Sequence, residues 1–157
     1  MSEQNNLSVL NYKVKILGAK NVELRCQSVN VPGLNLGTAP VATPFLMMQE
    51  PGTISYSGPL SMSFMIGENL ADYLEIFNWI IGLGTPDGFD QPYERKFSDA
   101  SVLILSSSYK PIFNIRFVNI FPLSITPIEF SSTLTDIQYV TGQVSFNFDR
   151  FYYDTVE

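Results

Sequence analysis

The chain contains no histidine. That removes the commonest general base, the Ser-His-Asp and Cys-His nucleophile arrangements, and most zinc and copper sites. Cysteine is nearly absent as well: Cys26 stands alone, so no intrachain disulfide forms and paired-cysteine metal sites are excluded. Charge is sparse, at 15% of 157 residues, below the usual share for a soluble monomer. Lys and Arg number 9 against 15 Asp and Glu, a net charge of −6. No Lys or Arg falls from Glu68 to Glu94, where six carboxylates lie. Tight nucleic-acid binding needs clustered cations, and this balance opposes it, although an acidic surface still lets a polyanion pass without sticking. No stretch approaches the roughly 20 apolar residues that a membrane span requires. The opening "MSEQNNLSVL" lacks the basic start and apolar run of a secretory signal, so a soluble protein made in a cytoplasm is expected.

What the chain does have is apolar residues, 45% of the total, enough for one full core and too short a length for two. A single domain over residues 1–157 is expected. Most of it alternates apolar and polar residues as half-buried strands do. In "LNYKVKI", Leu10, Tyr12, Val14 and Ile16 share one face. In "VELRCQSV", Val22, Leu24 and Cys26 share another, and the two runs together read as a hairpin. "TISYSGPLSMSFMI" resumes the alternation around a Gly-Pro break. Four more strand-like runs close the chain: "SVLILSS", "IFNIRFVNIF", "LSITPIEF" with a proline suggesting an edge or bulge, and "YVTGQVSFNFDRF". The fold class read from this pattern is mainly β, an antiparallel sandwich or barrel with one flanking helix.

Two segments break the alternation. Residues 32–52 hold four prolines and three glycines without a clean period, and read as a long loop whose middle, "PFLMMQ", is apolar and adaptable. Residues 69–83 carry apolar residues every three or four positions, the period of a helix. Asn69 is placed to cap it, and Gly82, Gly84 and Pro86 to stop it. Leu70, Leu74, Phe77 and Ile81 are expected to pack on the sandwich, with Asp72 and Glu75 on a solvated outer side.

Candidates for chemistry thin out quickly. Cys26 lies on an apolar strand face, where a free cysteine behaves as a small hydrophobe. Asp87, Asp90 and Glu94 in the polar loop 85–99 do not have the spacing of a calcium site. No phosphate loop, metal set or cofactor motif is present, and an enzyme is not expected. Trp79, Tyr152 and Tyr153 leave a sugar-binding β-sandwich module as a reading of a different class.

The order of these features resembles the tail tube proteins of contractile-tailed bacteriophages, relatives of type VI secretion tube proteins. The resemblance runs from "NYKVKILGAKNVELRCQSVNVPGL" through the single helix to "FVNIFPLSITPIEF" and "IQYVTGQVSFNFDRFYYD". It implies a non-enzymatic virion subunit, made in the host cytoplasm, that closes into six-fold rings. The rings stack into a tube that conducts DNA at ejection inside a sheath, above a baseplate, with no cofactor and no membrane. Under it Phe45, Leu46, Met47, Met48, Leu103, Leu105, Tyr152 and Tyr153 are expected at subunit contacts, and Glu23 and Asp149 toward the lumen. A tube-end subunit, such as a baseplate initiator or tail completion protein, is the alternative within the same particle.

Overall fold

The computed structural model describes residues 6–17, 19–84 and 97–156, apart from the side chains of residues 20, 21 and 24. Among them the chain runs β1 (Tyr12–Ile16), α1 (Lys20–Arg25), β2 (Cys26–Asn30), β3 (Leu34–Ala42), β4 (Met47–Tyr56), β5 (Leu60–Met65), α2 (Ala71–Gly84), β6 (Ser98–Leu105), β7 (Pro111–Ile125), β8 (Thr141–Asn147) and β9 (Arg150–Thr155). Seven strands are joined by antiparallel hydrogen bonding, six along the path β1-β6-β7-β8-β5-β2 and β9 branching from β7, and β3 and β4 form a separate pair. The fold is mainly β and sandwich-like, as the alternation predicts.

Strand β7 organises the two layers. Its first part pairs with β6 on one edge and β9 on the other, and its last residues pair with β8. The first sheet is therefore β1-β6-β7-β9, and the second is β2-β5-β8 with the end of β7. The bend falls at Asn119, which takes the left-handed φ of 55°. Two carboxylates hold it: Asp99 accepts the Asn119 backbone N–H at 3.2 Å, and Asp149 accepts its side-chain amide at 2.8 Å. Two runs that read as separate strands, "IFNIRFVNIF" and "LSITPIEF", are thus largely one long bent strand that ends at Ile125 before Pro127.

The core lies between the layers. Val14, Ile16, Ala100, Val102, Ile115 and Phe117 come from the first sheet, and Leu60, Met62, Phe64, Val144 and Phe146 from the second. These are the positions a period of two selects. Gly142 is needed opposite Phe64, because a Cβ there would stand 3.0 Å from the ring tip. Tyr56, Phe117, Phe148 and Phe151 stack edge-on or tilted at centroid distances of 4.9–5.5 Å and close one side of the core.

Three expectations need correction. The hairpin between "LNYKVKI" and "VELRCQSV" does not form. Residues 20–25 are helical, and this short helix carries the chain from the first sheet to the second, so β1 pairs with β6 and β2 with β5. Val22 is buried as expected, but from a helix; the side chain of Leu24 lies outside the described ones. Residues 32–52 are not an irregular loop but most of a two-stranded arm. Proline is tolerated there because each arm strand has one unpaired edge.

The third concerns the face of α2. Its buried residues are Asp72 and Ile76, with Trp79 and Ile80 partly buried against the core and the Trp79 ring 6.0 Å from Phe146. Leu74, Phe77 and Ile81 do not belong to the core or to the partly buried residues packed against it, and each is 44–48% exposed. Leu70 precedes the helix in a left-handed turn with φ 55°. Asp72, expected in solvent, is 2% exposed and accepts the N–H groups of Gly67 at 3.2 Å and Tyr73 at 2.9 Å. Asn69 does cap the start, accepting the Ala71 N–H at 3.2 Å. The helix is apolar on more than one face, so periodicity finds the helix and not the side it buries.

Candidate assembly surfaces

The arm is exposed along almost its whole length. Every residue of β3, and every residue of β4 except Tyr56, is exposed. Nine residues of strand at ~3.3 Å each carry it about 30 Å from its root. The root is fixed: Tyr56 sits in the aromatic cluster, the Ser57 N–H donates to the Gly33 carbonyl at 3.0 Å, and the Gly33 N–H to the Ser57 hydroxyl at 2.7 Å. The tip is a tight turn in which the Thr43 hydroxyl exchanges hydrogen bonds with the backbone of Leu46. Phe45 at the tip is fully exposed, and Leu46, Met47 and Met48 are more than half exposed. These four expected contact residues are brought together. An isolated two-stranded hairpin is marginal in water, and one this apolar is suited to a partner.

The other expected contacts lie elsewhere. Leu103 and Leu105 are half-buried on β6, which β1 and β7 flank, so both edges of that strand are paired. Tyr152 and Tyr153 are exposed on β9, an edge of the first sheet, where the Arg116 guanidinium lies over the Tyr152 ring at 5.7 Å. Neighbouring Asp154 pairs with Arg116 at 3.8 Å across half-exposed side chains, a weak bond.

The two expected lumen carboxylates both have local work. Glu23 is on α1, not on a strand, and accepts the Ile16 N–H at 3.1 Å. Asp149 sits at the bend between β8 and β9 and holds Asn119. Burial pushes the Cys26 thiol up from its ordinary pKa, which keeps it protonated and a poor nucleophile. Asp87, Asp90 and Glu94 lie outside the described residues. Among the described residues no group of three or more Cys, Asp or Glu is placed to hold a metal, and no helix is long and apolar enough to cross a membrane.

Sequence reasoning missed a set of exposed apolar residues. Phe130, Leu134, Ile137 and Tyr139 are exposed on the irregular segment 126–140. Phe130 and Tyr139 fall at the ends of runs that read as strands, "LSITPIEF" and "YVTGQVSFNFDRF", and the strand reading hid their exposure.

The family model for "Phage tail tube protein" matches residues 3–154. A chain of the anti-feeding prophage cap structure, described as the tube-terminating cap, superposes with a TM-score of 0.72 at 16% identity, covering 99% of this chain and 95% of that one. A chain of the sheath/tube terminator of an extracellular contractile injection system gives 0.71 at 15% identity, covering 98% and 100%. A chain of the extended sheath-tube complex of such a system gives 0.70 at 15%, covering 98% and 95%. At these identities the likeness is one of fold. No curated protein sequence matches the chain significantly. With the family match spanning nearly its whole length, this chain belongs to the phage tail tube protein family.

Proposed function

We propose that the chain is a structural, non-enzymatic subunit of a contractile tail tube, closing into six-fold rings that stack around a bore through which DNA passes at ejection. The family match over residues 3–154 carries this reading. The arm supports it: a fixed root and an apolar tip suit a contact with a neighbouring copy or ring. The exposed apolar side of α2, with Leu74 and Phe77, supplies a second contact surface. A sheath outside and a baseplate at the end are the expected partners, and the virion tail the expected location.

A tube-end role is the second reading, favoured by the likeness to chains of tube-terminating structures. Electron microscopy of the purified chain tests the proposal. Stacked rings or tubes are expected; single rings that never stack favour the tube-end role, and monomers at every concentration and salt overturn both. Copy number by mass spectrometry of intact particles separates the two roles, since a tube subunit is present in many copies.

A further inference from the structure

The tip of the arm has no charge near it and concentrates sulfur. Between Arg25 and Glu50 the sequence holds no Lys, Arg, Asp or Glu, so β3, the turn and the start of β4 are neutral. Of the five methionines, Met47 and Met48 open β4 side by side and are 66% and 55% exposed. Met62 is a core residue at 2%, Met65 is half-buried, and Met1 lies outside the described residues. Successive residues of a strand point to opposite faces, so the pair puts one thioether on each face of the arm. Met47 stands opposite Ala42 and Met48 opposite Val41, and neither neighbour has a polar side chain.

The thioether is the oxidisable group of this tip. A sulfur lone pair attacks peroxide, the O–O bond breaks, an S–O bond forms, and the remaining peroxide oxygen leaves as water. The sulfur gives up two electrons and the peroxide takes them. The product is a sulfoxide, polar where the thioether was apolar, with a strong acceptor oxygen. The one hydroxyl of the turn, that of Thr43, already donates to the Leu46 carbonyl and is not free to meet it. In the free subunit water solvates the new oxygen. In an apolar contact it would be stripped of water with no side-chain donor of the tip to replace it.

Resting on the seating of the arm tip in a neighbouring copy proposed above, we infer that Met47 and Met48 are an oxidation switch on assembly. In the free subunit both sulfurs are open to peroxide, and their oxidation stops the tip from seating. In the tube the contact covers them, so an assembled copy keeps the thioethers that a free copy loses. Cys26 does not share this role. Burial holds its thiol protonated, and the thiolate is the form that peroxide attacks. Leucine fills about the volume of methionine and has no sulfur, so it separates the apolar contact from its sensitivity to oxidant.

Hydrogen peroxide on the purified monomer, followed by peptide mass spectrometry and electron microscopy, tests this. Met47 and Met48 are expected to reach the sulfoxide about tenfold or more faster than Met62, with the circular dichroism of the monomer unchanged. The doubly oxidised chain is expected to form no rings or tubes where the untreated chain forms them. Methionine sulfoxide reductases of both epimer specificities, with a dithiol as electron donor, are expected to restore them. A Met47→Leu, Met48→Leu variant is expected to assemble with and without peroxide. In tubes of the untreated chain the pair is expected to oxidise about tenfold or more slowly than in the monomer. Normal tubes from the doubly oxidised chain overturn the inference. Loss of assembly by the peroxide-treated leucine variant places the damage elsewhere, and equal oxidation of the pair in tubes and monomers removes the shielding; each overturns it as well. If the leucine variant does not assemble untreated, reduction decides alone: recovery supports the switch and no recovery overturns it. Failure of the untreated parent chain to form rings or tubes overturns the tube reading itself, and the switch with it.

Discussion

In the sandwich, Leu60, Met62 and Phe64 of β5 alternate with Ser61, Ser63 and Met65, and the first three are almost wholly buried. In the arm, Leu34, Leu36 and Ile54 belong to strands of similar apolar content and remain about three-fifths exposed. Both regions are paired antiparallel ladders, that of the arm with one register shift between Leu36 and Thr38. What separates them is a second layer. The sandwich strands meet another sheet and a helix across a core, whereas among the described residues β3 and β4 pair only with each other and reach the core through Tyr56 alone at the root. Ladder pairing gives a strand its shape, and burial of a face gives it stability. A sequence that keeps apolar residues in an unlayered hairpin keeps them for a surface supplied by another chain.

The comparison breaks most sharply at Phe146. This ring is fully buried beneath Trp79 and opposite Leu60. Phe146→Ala is expected to cost about 3–5 kcal/mol, enough to unfold a marginal domain. Chemical denaturation of the monomer measures it; a loss no larger than that of an arm substitution would mean the layers are not the source of stability.

A smaller effect is expected at the start of α2. Asp72 is buried and accepts two backbone N–H groups, and its contact with Arg25 is long, at 3.9 Å, with the arginine half exposed. The hydrogen bonds therefore matter more than the ion pair. Asp72→Ala is expected to cost about 1–3 kcal/mol by leaving buried donors unpaired. Arg25→Ala should cost clearly less, and an equal loss would assign the energy to the pair. Next comes the bend of β7. Asn119→Val puts a β-branched residue at φ 55°, with an expected loss of about 1–2 kcal/mol. Asn119→Gly should recover part of it, since glycine accepts the angle but loses the bond to Asp149.

These residues also mark what was legible in the sequence. Period-two patterning identified the buried positions of β1, β5 and β8, because one face of each lies on the core. The helix at 69–83 was legible to within about two residues. Its orientation was not, since the buried stripe begins with Asp72, whose partners are backbone groups with no sequence signature. Residues 22–25 alternate like a strand and fold as part of a helix, because a chain crossing between layers is governed by the crossing and not by local period. The arm was hidden by Pro40 and Pro51, residues that argue against a central strand and fit an edge. Of the expected surfaces, the tip at Phe45 to Met48 was legible as apolar and adaptable.

The smallest effect on stability is expected in the arm, and it is paired with the largest effect on assembly. Met47→Asp with Met48→Asp places two carboxylates on side chains that are more than half exposed and touch no core residue. Surface changes of this kind usually move stability by no more than about 0.5 kcal/mol. The denaturation midpoint of the monomer should therefore stay with the parent chain. If the tip seats in a neighbouring copy, the same charges enter a contact without cations to meet them, and burying them there is prohibitive. Rings or tubes should then disappear from micrographs while the folded monomer persists. Normal tubes from this variant would show that the arm hangs free in the assembly, and the contrast between layered and unlayered strands would lose its explanation. A fall in monomer stability comparable to Phe146→Ala would show instead that the tip folds back on its own sandwich.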